Sequence, residues 1–489
     1  MNSCPYCDNQ VKDHWLYCHH CNKPLISNLE NKENLSKASS QTSHGFKEES
    51  SYLYPKIQEE RSPSISNEAI SEEDYELELK KIEELIEERT TTGESCGDIL
   101  LKKAGLYYQK RDYTSSIKVL EIALENFTKD NNTLNIAIVH NEMGLIQEEL
   151  GYFDNSIYHF ERAIEYLKEL NIIQKLIQVY NNLANVYYTI KDIENSYQYY
   201  QKAIDLAKQE KLFVEEIKST SNIVDVLFVL KNYNRIKDIL RQNSVYFRQT
   251  GDIFGIINTL IKYGQLYFYL GENYYQKSMK SFENALKLLD KFSHQIPFNY
   301  KAQMEWECHL YLGQYEMHSK NYNLAEDRLL KSLEAIRTYE VTDTINQGVI
   351  LEQLGKLYKE KGDFQKAIEF FTLSGEIYYK FGEDVQLAEL KTQIGQIYLD
   401  HLNDDMEAIK FLEEALEIFE NQNFEKQCAE ILHKLGDISI NKGMIDMAIS
   451  NFERAKFFYI EIKDQYNTNL LNEKINSIID FQYNNDLDL

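Results

Sequence analysis

Residues 351–374 read LEQLGKLYKEKGDFQKAIEFFTLS, and this stretch decides the architecture. Leu351, Leu354, Gly355 and Tyr358 recur at the spacing of one helical face. The Lys-Gly-Asp at 361–363 interrupts that pattern, and a second helical period follows with Ala367 and Phe371. Two amphipathic helices joined by so tight a turn must pack on each other. A small residue such as Gly355 is where two such axes can approach.

Working outward, the same small position recurs at Ala104, Gly144, Ala184, Gly264, Gly313, Gly395 and Gly436, and Val224 fills the remaining slot. The steps along this series are 40, 40, 40, 40, 49, 42, 40 and 41. A second small residue follows 19 later in most units, as at Ala123, Ala163, Ala203 and Ala455. Large residues stand three before it, as Leu120, Phe160, Tyr200, Phe282, Phe371 and Phe452. Nine units in phase specify an all-α chain, an α-solenoid of about nine helix–turn–helix repeats.

These motifs resemble the tetratricopeptide repeat. The period departs from that family's usual 34 residues, and the proline that commonly ends a unit is missing, since Pro297 is the only proline in the array. Longer second helices without a proline stop are expected to account for both departures. The chain is thus similar to the long-repeat branch: kinesin light chains, cell-polarity adaptors and bacterial peptide-sensing regulators. That resemblance implies a superhelix whose first helices line a concave groove for peptides or proteins.

Two irregularities modify the array. The fourth unit carries Val224, Ile236 and Asn243 at usually small slots, so its helices should sit further apart. The 49-residue step holds KLLDKFSHQIPFNY and reads as a joint between repeats at 97–290 and repeats at 291–460. Before the array, SEEDYELELKKIEELIEER places Tyr75, Leu79, Ile82 and Ile86 on one stripe, predicting a helix over 73–92. After it, Leu471, Ile475, Ile478 and Ile479 share a face, predicting a capping helix over 461–482.

The N-terminus follows another logic. CPYCDNQVKDHWLYCHHC holds Cys4, Cys7, Cys18 and Cys21, four of seven cysteines in the 489-residue chain. Two C-x2-C pairs supply four thiolates for a tetrahedral site, so residues 1–25 resemble a zinc ribbon with one structural Zn2+. Four thiolates leave no open position for a catalytic water; His14, His19 and His20 are spare candidate ligands or surface residues. Residues 26–72 turn to Ser, Asn, Glu and Lys and read as a disordered linker.

The net charge of −25 speaks against a general nucleic-acid surface, because phosphate binding needs clustered cations. No apolar run approaches a membrane span, and no secretory signal opens the chain, so a cytoplasmic protein is expected. No phosphate-binding, metalloprotease or nucleophile-elbow motif is present, and Cys96, Cys308 and Cys428 read as buried small hydrophobes. A non-catalytic protein is expected.

Helical spacing puts the positions around each small residue on the first-helix face. There stand Asn141, Asn181, Asn182, Asn185, Asn222, Asn258, Gln265 and Gln314, amides that can pair with the backbone of an extended peptide. An asparagine ladder of that kind is what the resemblance to polarity adaptors and peptide sensors implies. Asp225, Glu307, Glu352, Glu389, Glu430 and Asp437 add acidic charge, opposed by Lys218 and Lys356, which favours a partner segment with Lys or Arg. The alternative is a solvated charged face. The leading reading is a scaffold that binds an extended peptide, with the tethered ribbon as second contact; the alternative is a regulator whose ribbon touches nucleic acid.

Overall fold

A computed structural model describes residues 2–3, 10–11, 72–339 and 344–487. The four clustered cysteines and residues 26–71 lie outside the described residues, as do any expectations drawn from them. At the N-terminus β1 (Asn2–Ser3) pairs antiparallel with β2 (Gln10–Val11), Asn2 opposite Val11 and Ser3 opposite Gln10. In sequence this ladder brackets Cys4 and Cys7.

Among the described residues all other regular structure is helical. In chain order the first helices are α1 (Glu72–Thr92), α2 (Gly97–Gln109), α3 (Tyr113–Lys129), α4 (Thr133–Glu149), α5 (Phe153–Glu169), α6 (Ile173–Thr189) and α7 (Ile193–Gln209). They continue as α8 (Phe213–Asn222), α9 (Val224–Val229), α10 (Tyr233–Thr250), α11 (Ile253–Tyr269), α12 (Tyr275–Lys291), α13 (Phe298–His318) and α14 (Tyr322–Tyr339). The last seven are α15 (Ile345–Lys361), α16 (Phe364–Lys380), α17 (Asp384–Ile397), α18 (Asp405–Asn421), α19 (Glu425–Asn441), α20 (Ile445–Glu461) and α21 (Gln465–Leu487). Counting the broken α8–α9 as one, the described residues form nine helix pairs flanked by α1 and α21, a helical-repeat solenoid.

The 40-residue period has a different cause from the one expected. First and second helices are equally long: α4, α5, α6 and α7 each hold 17 residues, so the extra length is shared rather than confined to second helices. Turns replace the missing proline. Arg111, Asn131, Gly151, Asn171, Lys191, Lys211 and Lys231 take the left-handed conformation at successive turns. Where the next residue is Asp or Asn it caps the following helix. Asp112 accepts from the Ser115 amide at 3.0 Å, Asn132 from Asn135 at 3.2 Å and Asp192 from Asn195 at 3.1 Å. Each such cap satisfies a backbone amide that has no partner within its own helix.

Each first-helix glycine of the series meets a large second-helix side chain: a phenylalanine ring at Gly144, Gly264, Gly355 and Gly436, and a leucine at Gly313 and Gly395. A Cβ on Gly144 would stand 2.8 Å from Phe160, and one on Gly436 would stand 2.4 Å from Phe452. Both rings are fully buried. A serine strut accompanies this contact and was not foreseen. Ser116, Ser156 and Ser196 each donate, at 2.8 Å, to the carbonyl of the small residue twelve earlier. Alanine holds that slot at Ala325, Ala367 and Ala448, all fully buried.

The chain divides into two compact units, 1–304 and 305–489, with the boundary inside α13. In the first unit Leu120, Phe127 and Met143 form one core cluster, Phe160, Ile177 and Leu183 a second, and Tyr200, Leu227 and Leu240 a third. In the second unit Leu412, Phe419, Leu432 and Phe452 share a core that reaches Leu471 and Ile475 of α21. Helix α1 docks Ile82 on Ile99 and Leu106, with Tyr75, Leu79 and Ile86 around it. Ile479 departs from expectation, standing 47% exposed because α21 buries only its Leu471–Ile475–Ile478 side.

Candidate functional site

The asparagines expected on the first-helix face divide into two groups. Asn141, Asn182, Asn185, Asn222, Asn258 and Gln314 are half-buried, with their amides at the border of solvent. Asn182 on α6 donates to the Asn141 carbonyl oxygen on α4 at 3.1 Å, so amides of successive first helices stand side by side. Asn185 accepts from the Tyr200 hydroxyl, and burial pushes that phenol well up, keeping it a donor.

Asn181 and Gln265 belong to the other group, a correction to the expected ladder. Asn181 is 1% exposed and donates to the Ile177 carbonyl at 3.1 Å and to Ser219 Oγ at 2.9 Å, bridging α6 and α8 inside the core. Gln265 is likewise buried. The reason is helical phase: Asn181, three before Ala184, turns toward the next unit, whereas Asn182 turns to the face. Asn222 ends α8 at the break before Ile223. Around that break, Thr220 and Ser221 hydroxyls bond back to the Ile217 carbonyl, which bends a helix.

Acidic residues expected to await a basic partner are instead held by this chain. Asp225 on α9 pairs with Lys262 on α11 at 3.2 Å, and Lys262 is 3% exposed. Glu352 pairs with Lys356 four residues on at 2.6 Å and accepts from the Tyr378 hydroxyl at 2.8 Å. Asp437 holds Lys474 of α21 at 2.5 Å, Lys218 pairs with Glu215 at 3.7 Å, and Glu307 is buried. Glu389 and Glu430 remain exposed. Although Glu389 is exposed as a residue, partial desolvation of its carboxyl, reinforced by Glu352 and opposed by Lys356, raises it above its usual range. Sequence reasoning missed Lys262 and Lys474, each some 37 residues from its carboxylate; near-repeat spacing was the available signal.

The chain's isolated thiols are as expected: Cys96, Cys308 and Cys428 are buried and unpaired. Burial pushes the Cys308 thiol well up and the Cys428 thiol up to about 11. Among the described residues no group of three or more His, Cys, Asp and Glu side chains is arranged to hold a metal ion. Among them, too, no helix is long and apolar enough to cross a membrane.

Family models match at three places. Tetratricopeptide-repeat models match residues 177–210 and 307–380, covering α6–α7 and α13–α16. The chain carries tetratricopeptide repeats. A model described as "Soluble NSF attachment protein, SNAP" matches residues 351–471 of the same repeat region.

Among curated proteins, Protein KINESIN LIGHT CHAIN-RELATED 1 of Arabidopsis thaliana is 22% identical over 153 residues, 29% of this tetratricopeptide chain. Tonsoku-like protein of Drosophila melanogaster is 27% identical over 103 residues, 19% of this chain. The chain spans 25% of the length of the first relative and 7% of the second. Among solved structures, the apo form of RapI aligns at 14% identity and TM-score 0.48, covering 72% of this chain and 97% of that one. The apo quorum sensor NprR from B. thuringiensis aligns at 15% and TM-score 0.43, covering 80% and 99%. A Rap protein complexed with Competence and Sporulation Factor aligns at 15% and TM-score 0.35, covering 80% and 99%.

Proposed function

We propose that this tetratricopeptide chain is a non-catalytic interaction scaffold whose first-helix face binds an extended segment of a partner protein. The observation that carries the reading is the Asn182–Asn141 contact across α6 and α4. An amide offers both a donor and an acceptor, so a row of them reads a peptide backbone irrespective of its side chains. Half-buried Asn185 on α6, Asn222 on α8 and Asn258 on α11 belong to the same reading. The internal pairing of Asp225, Glu352 and Asp437 makes the amides, rather than acidic charge, the main recognition element of this reading.

Residues 1–25 supply the second contact as a zinc ribbon on a tether. The donor set fits the ion: four thiolates in two C-x2-C pairs suit tetrahedral Zn2+. The metal would provide the folding free energy of a segment too short for its own core. A tether near 45 residues reaches about 35–40 Å, enough to raise effective concentration at both contacts.

The test compares three baits in lysate capture with and without nuclease: the full chain, residues 73–489, and the full chain with Asn141, Asn182 and Asn185 changed to Ala. Nuclease-resistant partners lost only with the asparagine changes establish the peptide-binding face. Partners released by nuclease, or requiring residues 1–25, overturn it in favour of ribbon-borne nucleic-acid binding.

A further inference from the structure

Helix α10 reverses the charge balance of the chain. It carries Arg235, Lys237, Arg241 and Arg248 against Asp238 alone, in a protein of net charge −25. Arg235 is engaged by the Tyr197 hydroxyl and the Gln201 side chain. Lys237, Arg241 and Arg248 are exposed. Of the nearby carboxylates, Glu215 pairs with Lys218 at 3.7 Å, and Glu216 accepts from Gln242 of α10 itself at 3.3 Å.

The same face holds an apolar hollow of about 370 Å³, lined by Phe213, Val245 and Tyr246 with Asp238, Arg241, Gln242 and Gln249 on its rim. Phe213 of α8 meets Tyr246 edge-on at 5.5 Å, forming one wall. Phe213, Val214 and Val245 stand 50%, 47% and 53% exposed. Contiguous apolar exposure rimmed by polar groups marks an interaction surface.

Comparison with the three preceding units shows how this face differs from theirs. At the slot of Val245, the three preceding units carry Glu125, Glu165 and Asp205; at the slot of Arg241 they carry Glu121, Glu161 and Gln201. Acidic positions have become one apolar anchor and one cation, side by side.

We infer that the α8–α10 face is a docking site for a linear segment of a partner protein carrying Asp or Glu beside large apolar side chains. The hollow takes the apolar anchors. Arg241, with Lys237 and Arg248 along the helix, meets the carboxylates, and charge complementarity sets orientation. This face is built on the second helix α10 with Phe213 at the start of α8, and is independent of the amide row on α4 and α6.

The test is selection of a displayed library of random 12-residue peptides on the full chain. Enriched peptides are then measured by fluorescence anisotropy against wild type, Arg241→Gln and Val245→Asp, which carry the side chains of the preceding unit at exposed sites. The expected result is an enriched class combining Asp or Glu with Leu, Ile, Phe or Trp, whose Kd rises about tenfold or more in either variant and is unchanged by Asn182→Ala. No such class, or one that binds both variants as tightly as wild type, overturns the inference. Arg241-dependent retention of phosphatidylserine vesicles without such a peptide class overturns it too, assigning the face to a lipid surface.

Discussion

Lys262 and Asp225 stand 3.2 Å apart between α11 and α9, with side chains only 4% and 12% exposed. Removing one partner leaves a buried charge without its counter-ion. Lys262→Met should therefore lower stability by about 3 kcal/mol, read as a fall in the urea midpoint. Adding Asp225→Leu should recover most of the loss, because apolar replacement of both partners removes the desolvation cost. Equal instability of the single and double variants would refute this account.

The close contact of Gly436 with Phe452 makes a second prediction. Alanine would gain about 1 kcal/mol of helix propensity over glycine, but its Cβ would stand 2.4 Å from the ring. Overpacking costs about 1–3 kcal/mol, and valine adds bulk without the full propensity gain. Gly436→Val should lower the melting temperature by several degrees, and Phe452→Leu in the same chain should relieve part of that. A valine variant as stable as wild type would show that the ring moves freely.

Histidine burial gives the pH dependence. His140 and His159 approach through their Nδ1 atoms at 3.0 Å between α4 and α5. Burial, with repulsion from His159 and Arg162, lowers the His140 pKa to about 4; burial lowers His159 as well. The folded chain resists protonation that the unfolded chain accepts near 6.5. Stability is full above that value and falls as pH drops toward about 4. His140→Phe should remove about 2 kcal/mol of this pH-dependent loss, measured as urea midpoints at pH 7 and 4.5. An unchanged slope would exclude His140 as its source.

Metal analysis of the purified chain should find one zinc per molecule, lost in Cys18→Ser with Cys21→Ser. Chelation should leave the helical circular dichroism of the repeats intact, since their cores lie in helices α1 to α21 and use none of the four cysteines. A metal-free chain, or collapse of helicity on chelation, would count against the ribbon.

The repeat was legible because its contacts are local. Gly144 and Phe160 lie 16 residues apart, so one hairpin of helices specifies the contact, and the 40-residue steps copy it along the chain. The capping role of α21 was readable for Leu471 and Ile475 on the same grounds, though not for Ile479. Helix lengths were not: equal 17-residue helices and left-handed turns at Lys191 or Asn171 leave no proline to read.

At the candidate site the sequence by itself determined which residues occupy first helices, because periodicity assigns a face to within a turn. Asn141 and Asn182 were found that way. Tertiary structure alone decided which neighbouring residue turns inward: Asn181, one position from Asn182, is core. It also decided which charges are satisfied. Asp225 and Asp437 look free along their own helices, and the lysines that hold them come from the next first helix, α11, and from α21. Composition counts charges, but only packing brings a carboxylate and an ammonium from different repeats within reach, and an ion pair depends on that distance.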